Sequence, residues 1–406
     1  MSQLLRAFVL GALLLGLPGC SWFGGDDEEE GPAPLMEFEP EGRLKAVWRA
    51  RIGDGLGKRY TRIEPVVVRG TLYAADVYGV VEARELETGQ LRWRTRVDVP
   101  AGSFLSSFAF WGRDDDDGSF VTGGLGADDF AVFLGTKDGA LIALRANDGG
   151  ELWRAQLSSE ILAPTASDDA RVYVMTGDGR LTALSRSDGS RLWSFDTQVP
   201  VLSLRGTSAP VVQGPLVFAG FANGRVVALR SDEGQVLWEH VVALPTGRSE
   251  LERIADVDSS PLPTGVGVFV GSYQGAVKGL RIADGNPQWE RPLSTHEALA
   301  EGYGDIYVTD ENGSLYALDQ VSGAVDWQQD GLARRGVTGP AVVSAYVAVG
   351  DAEGYVHLFA QSDGRPIARL RVDSAGVRDT PLGVGDRLVV LANDGRLVVY
   401  EFELRD

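Results

Sequence analysis

The amino-acid sequence predicts an all-β fold, an eight-bladed β-propeller of four-stranded antiparallel blades that is closed by pairing an N-terminal strand with the C-terminal blade. Three observations predict this fold. A unit of about 45 residues recurs along the chain, which is the size of a propeller blade. Polar and apolar residues alternate within the unit with a period of two, as in strands. Glycine supplies 52 of the 406 residues, which favours many tight turns over long helices.

The repeated unit contains a glycine turn, an alternating strand, a second turn with glycine and a strand that carries tryptophan. The clearest copies are GALIALRANDGGELW from Gly139, GRLTALSRSDGSRLW from Gly179 and GRVVALRSDEGQVLW from Gly224. The same unit starts again at residues 79, 275 and 313. Because the tryptophans occupy one fixed position in the unit, we interpret them as packing between blades rather than as an aromatic binding surface. They are Trp48, Trp93, Trp153, Trp193, Trp238, Trp289 and Trp327.

Two incomplete copies of the unit indicate how the ring closes. The copy from Gly354 has Ile367 where tryptophan is expected, and the copy from Gly395 stops before any tryptophan strand. Residues 44–51 (LKAVWRAR) contain Trp48 but lack the preceding glycine-turn strand. We therefore predict that residues 44–51 supply the missing last strand, which removes the exposed edges of an open array.

The N-terminus has the features of an exported lipoprotein. Arg6 precedes the apolar run from Ala7 to Leu17, which is too short to span a bilayer. The following Leu17-Pro18-Gly19-Cys20 resembles the bacterial lipobox, which implies lipidation of Cys20, the single cysteine, and with Ser21 implies sorting to the outer membrane. A free buried thiol in a cytosolic protein is the alternative. The sequence thus predicts a signal peptide over 1–19, a lipidated flexible tether over 20–42 and a propeller over 43–406.

Composition and motifs argue against several classes of function. The net charge of −19 opposes binding to nucleic acid or to anionic lipid, so membrane contact is expected through the acyl chains alone. The three histidines at 240, 296 and 357 have no metal-ligand spacing, and no catalytic motif is present. We therefore expect no catalytic residues, metal or cofactor. A calcium site in the acidic run 114–117, within the insertion 113–129, is an alternative to a solvated loop.

Two connections between consecutive blades form a candidate binding surface. Leu202, Leu204 and Arg205 lie in one connection, and Asp256 and Asp258 lie in the next. Corresponding connections of neighbouring blades share one face of a propeller, so the sequence predicts apolar anchors beside charged groups, as a protein partner requires. The alternative is that the leucines pack inward and the aspartates cap turns.

Two family resemblances add to these inferences. The stretch ELETGQLRW, residues 85–93, resembles the pyrroloquinoline-quinone-type propeller repeat, a family that includes dehydrogenases. Together with the lipobox, LSLRG at 202–206, the stretch from Gly247 to Pro261, and GDAEGYVH at 350–357, the chain resembles the BamB family, lipoprotein subunits of the outer-membrane β-barrel assembly machinery. This resemblance implies a non-catalytic scaffold on the periplasmic side of the outer membrane, which uses Leu202, Leu204, Arg205, Asp256 and Asp258 to bind the POTRA domains of BamA.

Three questions stay open at this point. The sequence leaves undecided whether unfolded barrel substrates also bind the propeller. A quinoprotein dehydrogenase, which would show cofactor absorbance, remains an alternative function. A propeller sensor or adhesin with another ligand is the second alternative.

Overall fold

A computed structural model describes residues 31–58, 61–98, 120–198, 200, 208–244 and 254–405. Within these ranges the regular elements are β-strands, which form eight four-stranded sheets. No described segment is a helix of the length and apolar character that crossing a bilayer would need. The predicted signal peptide and the acidic run 114–117 lie outside the described residues. The eight-bladed all-β prediction is confirmed.

Each of the first seven blades is a meander of four consecutive antiparallel strands. Blade 1 contains β2 (Val66–Val68), β3 (Thr71–Ala75), β4 (Val80–Glu85) and β5 (Leu91–Arg96), and blade 2 contains β6 (Val121–Ala127), β7 (Ala131–Thr136), β8 (Ala140–Arg145) and β9 (Glu151–Gln156). Blade 3 contains β10 (Ala166–Ser167), β11 (Arg171–Thr176), β12 (Arg180–Ser185) and β13 (Arg191–Asp196), and blade 4 contains β14 (Val211–Gln213), β15 (Leu216–Phe221), β16 (Arg225–Arg230) and β17 (Val236–Val241).

The remaining blades follow the same order along the chain. Blade 5 contains β18 (Leu262–Pro263), β19 (Val268–Gly271), β20 (Val277–Leu280) and β21 (Pro287–Arg291), and blade 6 contains β22 (Ala300–Gly302), β23 (Asp305–Thr309), β24 (Leu315–Asp319) and β25 (Val325–Gln329). Blade 7 contains β26 (Ala341–Val343), β27 (Tyr346–Gly350), β28 (Tyr355–Ala360) and β29 (Pro366–Arg371).

Blade 8 joins the two ends of the chain. It contains β30 (Leu382–Val384), β31 (Arg387–Leu391), β32 (Arg396–Leu404) and, as its outermost strand, β1 (Gly42–Arg51). The pairing of β1 with β32 runs from Gly42 opposite Leu404 to Arg51 opposite Arg396. The predicted closure by residues 44–51 is therefore confirmed.

The core lies between the blades and is formed mainly by the second and third strand of each blade. Every residue of β3 and β7 is buried, because both faces of these strands pack against neighbouring blades. The outermost strands differ, since in β5 buried Trp93 is flanked by exposed residues. This alternation is the period-two pattern that the sequence shows.

Each repeat tryptophan connects its own blade to the next one. The indole N–H donates a hydrogen bond of 2.7–3.0 Å to a carbonyl in the second glycine turn of the following blade. The ring packs on the glycine of that turn, whose φ lies between 67° and 73°. A Cβ atom on that glycine would come within 2.4–2.6 Å of the ring, so glycine is required there for space as well as for its backbone conformation. The predicted packing role of the tryptophans is confirmed.

The absence of tryptophan at Ile367 has a structural reason. The turn that an indole from blade 7 would contact should join the third and fourth strands of blade 8, but these strands are β32 and β1, from opposite ends of the chain. There is therefore no such turn for an indole to contact. Instead, the carbonyl of buried Ile367 accepts a hydrogen bond from the amide of Glu41 at 3.0 Å.

Residues 32–41, which we call the strap, correct one part of the sequence analysis. They were predicted to belong to a flexible tether, but they belong to the same compact unit as the propeller and lie against blade 7. Apolar Met36 and Phe38 lie beside residues of blade 7, which the acidic, proline-rich composition of the segment did not indicate. The rest of the predicted tether, residues 20–30, lies outside the described residues.

Candidate functional site

The predicted binding residues belong to the connections between the outermost strand of one blade and the innermost strand of the next. The described parts of these connections lie on one face of the disc, which we call the connection face. It includes residues 254–261, 292–299, 330–340 and 372–381. Asp256 and Asp258 lie in the first of these segments. Leu202, Leu204 and Arg205 fall in 201–207, outside the described residues.

The structure brings together the two connections that the sequence singled out. The hydroxyl of Ser208, which follows 201–207, donates to the carbonyl of Ser259 at 3.3 Å. The amide of Ala209 donates to the hydroxyl of Ser260 at 3.1 Å. The ends of the two connections are therefore hydrogen-bonded to each other, although about fifty residues separate them in sequence.

The connection that carries the aspartates is held by its backbone between two glycine turns. The amide of Val257 donates to the carbonyl of Phe221 in blade 4 at 3.2 Å, and the amide of Tyr273 in blade 5 donates to the carbonyl of Asp256 at 2.9 Å. Val257 itself is buried at 1% exposure. These contacts fix the position of the connection at the boundary of the two blades.

The two aspartates are less accessible than a surface patch would require. Asp256 is fully buried, and Asp258 is partly buried. The Asp256 side chain is therefore not exposed in the chain on its own, and its role in partner binding stays a prediction. Burial, with a smaller contribution from the negative charge of Asp256, raises the pKa of Asp258 to about 7.

Behind this connection the structure shows a cluster of charged groups from four different blades, which we call the cross-ring cluster. Its members are Arg62 and Glu64 before β2, Asp258 before β18, His296 and Glu297 before β22, and Asp379 before β30. Arg62 forms an ion pair with Glu297 and also acts electrostatically on Glu64, Asp258 and Asp379. Since these residues come from blades 1, 5, 6 and 8, Arg62 links connections across the ring.

The buried carboxylates of the cluster respond differently to their surroundings. Glu297 accepts a hydrogen bond from the amide of Gly339 at 2.9 Å and faces His296 Nε2 at 3.2 Å. Although burial alone would raise its pKa, the charges of Arg62 and His296 hold the pKa of Glu297 below its ordinary value. For Asp379, the nearby Arg378 and Arg62 do not offset the effect of burial, and burial together with the negative charge of Glu64 raises its pKa to about 8.

Sequence reasoning missed the cross-ring cluster, although a signal was present. An acidic residue stands one to three positions before a proline at the start of three blades, in Glu64-Pro65, Asp258-Ser259-Ser260-Pro261 and Asp379-Thr380-Pro381. Equivalent positions in different blades converge on the ring axis. Read together, these positions would have predicted a polar cluster at the centre.

The described residues contain no group of three or more histidine, cysteine, aspartate or glutamate side chains arranged to hold a metal ion. His357 lies in β28 beside Asp351, and His240 lies in β17, each in a different blade from His296. What the connection face offers is a set of backbone-fixed segments over a buried charge cluster, an arrangement suited to positioning a protein partner.

Comparisons with known proteins agree with this picture. A family model described as outer membrane protein assembly factor BamB matches residues 98–329 and 311–405, and the model of the glucose, ethanol and alcohol dehydrogenase β-propeller domain matches residues 23–154. An outer membrane protein assembly factor BamB from Pseudomonas aeruginosa is 42% identical over 96% of this chain and 97% of its own. The protein of the same name from Escherichia coli is 35% identical over 93% and 94%.

Solved structures resemble the propeller to different degrees. The crystal structure of BamB from Moraxella catarrhalis has a TM-score of 0.76 and 26% identity, and it covers 88% of this chain and 100% of its own. A europium-containing methanol dehydrogenase has a TM-score of 0.68 at 15% identity over 88% of this chain and 93% of its own, a likeness of fold alone. On the strength of its full-length relatives, the chain belongs to the BamB family of outer membrane protein assembly factors.

Proposed function

We propose that this chain is a non-catalytic scaffold that binds the periplasmic POTRA domains of BamA through the connection face and so assists assembly of outer-membrane β-barrel proteins. Leu202, Leu204 and Arg205 act together with Asp256 and Asp258 in this binding. The observation that carries the proposal is the direct hydrogen bonding between the ends of the two connections at Ser208–Ser259 and Ala209–Ser260. These hydrogen bonds hold the described ends of the two connections side by side.

The same proposal includes the attachment of the chain to the membrane. Residues 1–19 are a signal peptide, and Cys20 carries the lipid that holds the chain on the outer membrane, facing the periplasm. The support is the sequence Leu17-Pro18-Gly19-Cys20 after an apolar run, together with the names of the relatives. Acyl chains would supply the membrane contact that a net charge of −19 does not favour.

Burial of Asp256 and Asp258 shapes the role that each has in the proposal. The carboxylate of Asp258 is the more accessible of the two and can form a charge-assisted hydrogen bond with a donor on the partner. Asp256 contributes through its backbone, because its main-chain carbonyl accepts a hydrogen bond from the amide of Tyr273 and so holds the connection in place. The names of the relatives favour this assembly role over the dehydrogenase alternative.

Affinity capture from membranes tests the proposal. The tagged full-length chain is expected to retain the barrel subunit BamA, and Arg205→Ala and Asp258→Ala are expected to reduce that retention strongly. The matched control is Arg191→Ala, which removes an exposed guanidinium from blade 3 at the opposite face and should leave capture unchanged.

The outcomes separate the parts of the proposal. Capture that survives both Arg205→Ala and Asp258→Ala would overturn the assigned site. Failure of the wild-type chain to retain any BamA would overturn the scaffold role itself.

A further inference from the structure

The strap follows the outer edge of blade 7 from one face of the disc to the other. At its C-terminal end, the amide of Glu41 donates to the carbonyl of Ile367 at 3.0 Å, and its carbonyl accepts the amide of Arg405 at 2.8 Å. At its N-terminal end, the amide of Ala33 donates to the carbonyl of Ala333 at 3.0 Å. Ala333 belongs to the connection 330–340, so the strap begins at the connection face.

Side chains of blade 7 hold the middle of the strap. Arg369 donates to the carbonyl of Met36 at 3.0 Å, and its guanidinium lies 5.4 Å from the centre of the Phe38 ring. Arg365 pairs with Glu41 at 2.8 Å. The partly buried Phe38 lies near Pro366, while Met36 stays 41% exposed, so the contact combines limited apolar packing with charge pairing.

The first residues of the strap are held by a buried arginine. Arg335 is 3% exposed, and one of its nitrogens donates to the carbonyl of Ala33 at 2.9 Å. Its other nitrogens donate to Asp351 at 2.8 Å and to Glu353. Without the strap, one donor of a buried guanidinium would lose its acceptor, which is costly for a charged group.

The residues that hold Arg335 belong to GDAEGYVH at 350–357, a stretch that the docking site does not use. Asp351 is fully buried and lies 3.0 Å from His357 Nε2, while the ring of Tyr355 lies 5.7 Å from the Arg335 guanidinium. This stretch therefore holds the Arg335 guanidinium in place beside the strap.

We propose that residues 350–357, acting through Arg335, clamp the strap so that the linker to the lipid anchor leaves the propeller at the connection face. The inference rests on the proposed lipidation of Cys20. The membrane then lies on the side of the disc that carries the partner-binding connections. The N-terminal end of the strap and Asp258 are two blades apart, since the strap begins at the boundary of blades 6 and 7 and Asp258 lies at the boundary of blades 4 and 5.

The clamp also limits how far the propeller can move from the membrane. With the strap held, residues 20–31 can span at most about 40 Å, because an extended chain covers about 3.3–3.6 Å per residue. With the strap released, residues 20–41 could span about 75 Å. The clamp thus roughly halves the reach and sets the point on the disc from which the linker starts.

Hydrogen exchange on the full-length chain tests the clamp itself. The amides of Ala33 and Glu41 are expected to exchange about tenfold faster or more in Arg335→Ala and in Phe38→Ala, since each loses a contact that closes the strap. The strands β27 and β28 should keep their protection in Phe38→Ala, because that change lies in the strap and leaves the blade intact. Unchanged exchange of the Ala33 amide in Arg335→Ala would overturn the clamp, and faster exchange of the strap in Phe38→Ala shows that the measurement detects a loosened strap.

Energy transfer to a membrane-surface acceptor tests the orientation of the disc. With Cys20 lipidated, a single introduced cysteine is the only reactive thiol, so a donor dye can be placed at Asn312→Cys on the connection face or at Val321→Cys on the opposite face of blade 6. The lipidated protein is reconstituted in phosphatidylethanolamine and phosphatidylglycerol vesicles. Transfer should be stronger from position 312 than from 321, and Phe38→Ala should shrink that difference.

The outcomes distinguish this inference from the proposed lipidation. A chain that does not float with vesicles refutes lipidation and with it the membrane orientation, while the exchange measurement still decides the clamp. A chain that floats but shows equal transfer from positions 312 and 321, or a difference that Phe38→Ala does not change, overturns the orientation by the strap.

Discussion

Replacing Asp258 by asparagine should stabilise the folded chain at neutral pH. Burial beside Asp256 raises the pKa of Asp258 from an ordinary 3.8 to about 7. The unfolded chain therefore loses this proton near pH 4, whereas the folded chain keeps it until about pH 7. Between these values the folded state binds more protons, so wild-type stability falls as the pH rises. The difference corresponds to at most about 4 kcal/mol above pH 7.

Urea unfolding at pH 4.5, 6 and 8, followed by tryptophan fluorescence, measures this effect. Asp258→Asn should lose less stability than wild type between pH 4.5 and 8, because asparagine does not titrate. Asp188→Asn is the control, since its carboxylate lies in an exposed turn on the opposite face and should leave the wild-type trend unchanged. The same pH dependence in Asp258→Asn and wild type, or a less stable Asp258→Asn at pH 8, would refute the reasoning.

The same substitution should also weaken binding to BamA. If Asp258 is retained for binding, Asp258→Asn should be more stable and yet capture less BamA at pH 8. A residue that only filled space would not separate these two readouts. Protein sites commonly combine local destabilisation with function in this way.

Two further changes test the packing of the blades by thermal denaturation. Gly189→Ala should destabilise the chain by about 2–4 kcal/mol, because its Cβ would lie 2.6 Å from an indole ring. The control Gly70→Ala has a similar φ of 75° but open space around it and should cost only about 1 kcal/mol, so equal losses would contradict the blade-to-blade packing. Arg62→Met should lower the free energy of unfolding by about 3–5 kcal/mol, because it leaves the Glu297 carboxylate buried without the Arg62 guanidinium. The control Arg43→Met removes one partner of an exposed ion pair and should cost less than about 1 kcal/mol. Similar small losses from both changes would argue against the cross-ring cluster.

The fold could be predicted because each blade repeats the same order of strands and glycine turns. Trp153 and Gly189 are 36 residues apart in a fixed register, and their contact in the structure explains why both recur. Closure of the ring could be predicted because the last copy, from Gly395, lacks its tryptophan strand, while a single unmatched strand around Trp48 stands at the other end of the chain. Repetition made long-range contacts visible in the sequence.

Features that occur only once were not predictable in the same way. Burial of Asp256 depends on the turns of two blades, and the pairing of Arg62 with Glu297 joins residues 235 positions apart. The strap was missed because its composition resembles a solvated tether, while its contacts depend on Arg335, Arg365 and Arg369 far along the chain. Nothing in a local pattern of residues 32–41 indicates those partners.

Hydrogen exchange of the chain with and without purified POTRA domains of BamA tests the central claim most directly. The account predicts slower exchange on binding in residues 201–207 and 254–258, while the turns of the opposite face, such as 186–189 and 231–234, stay unchanged. Protection confined to the opposite face, or no protection in either connection when the complex forms, would contradict it.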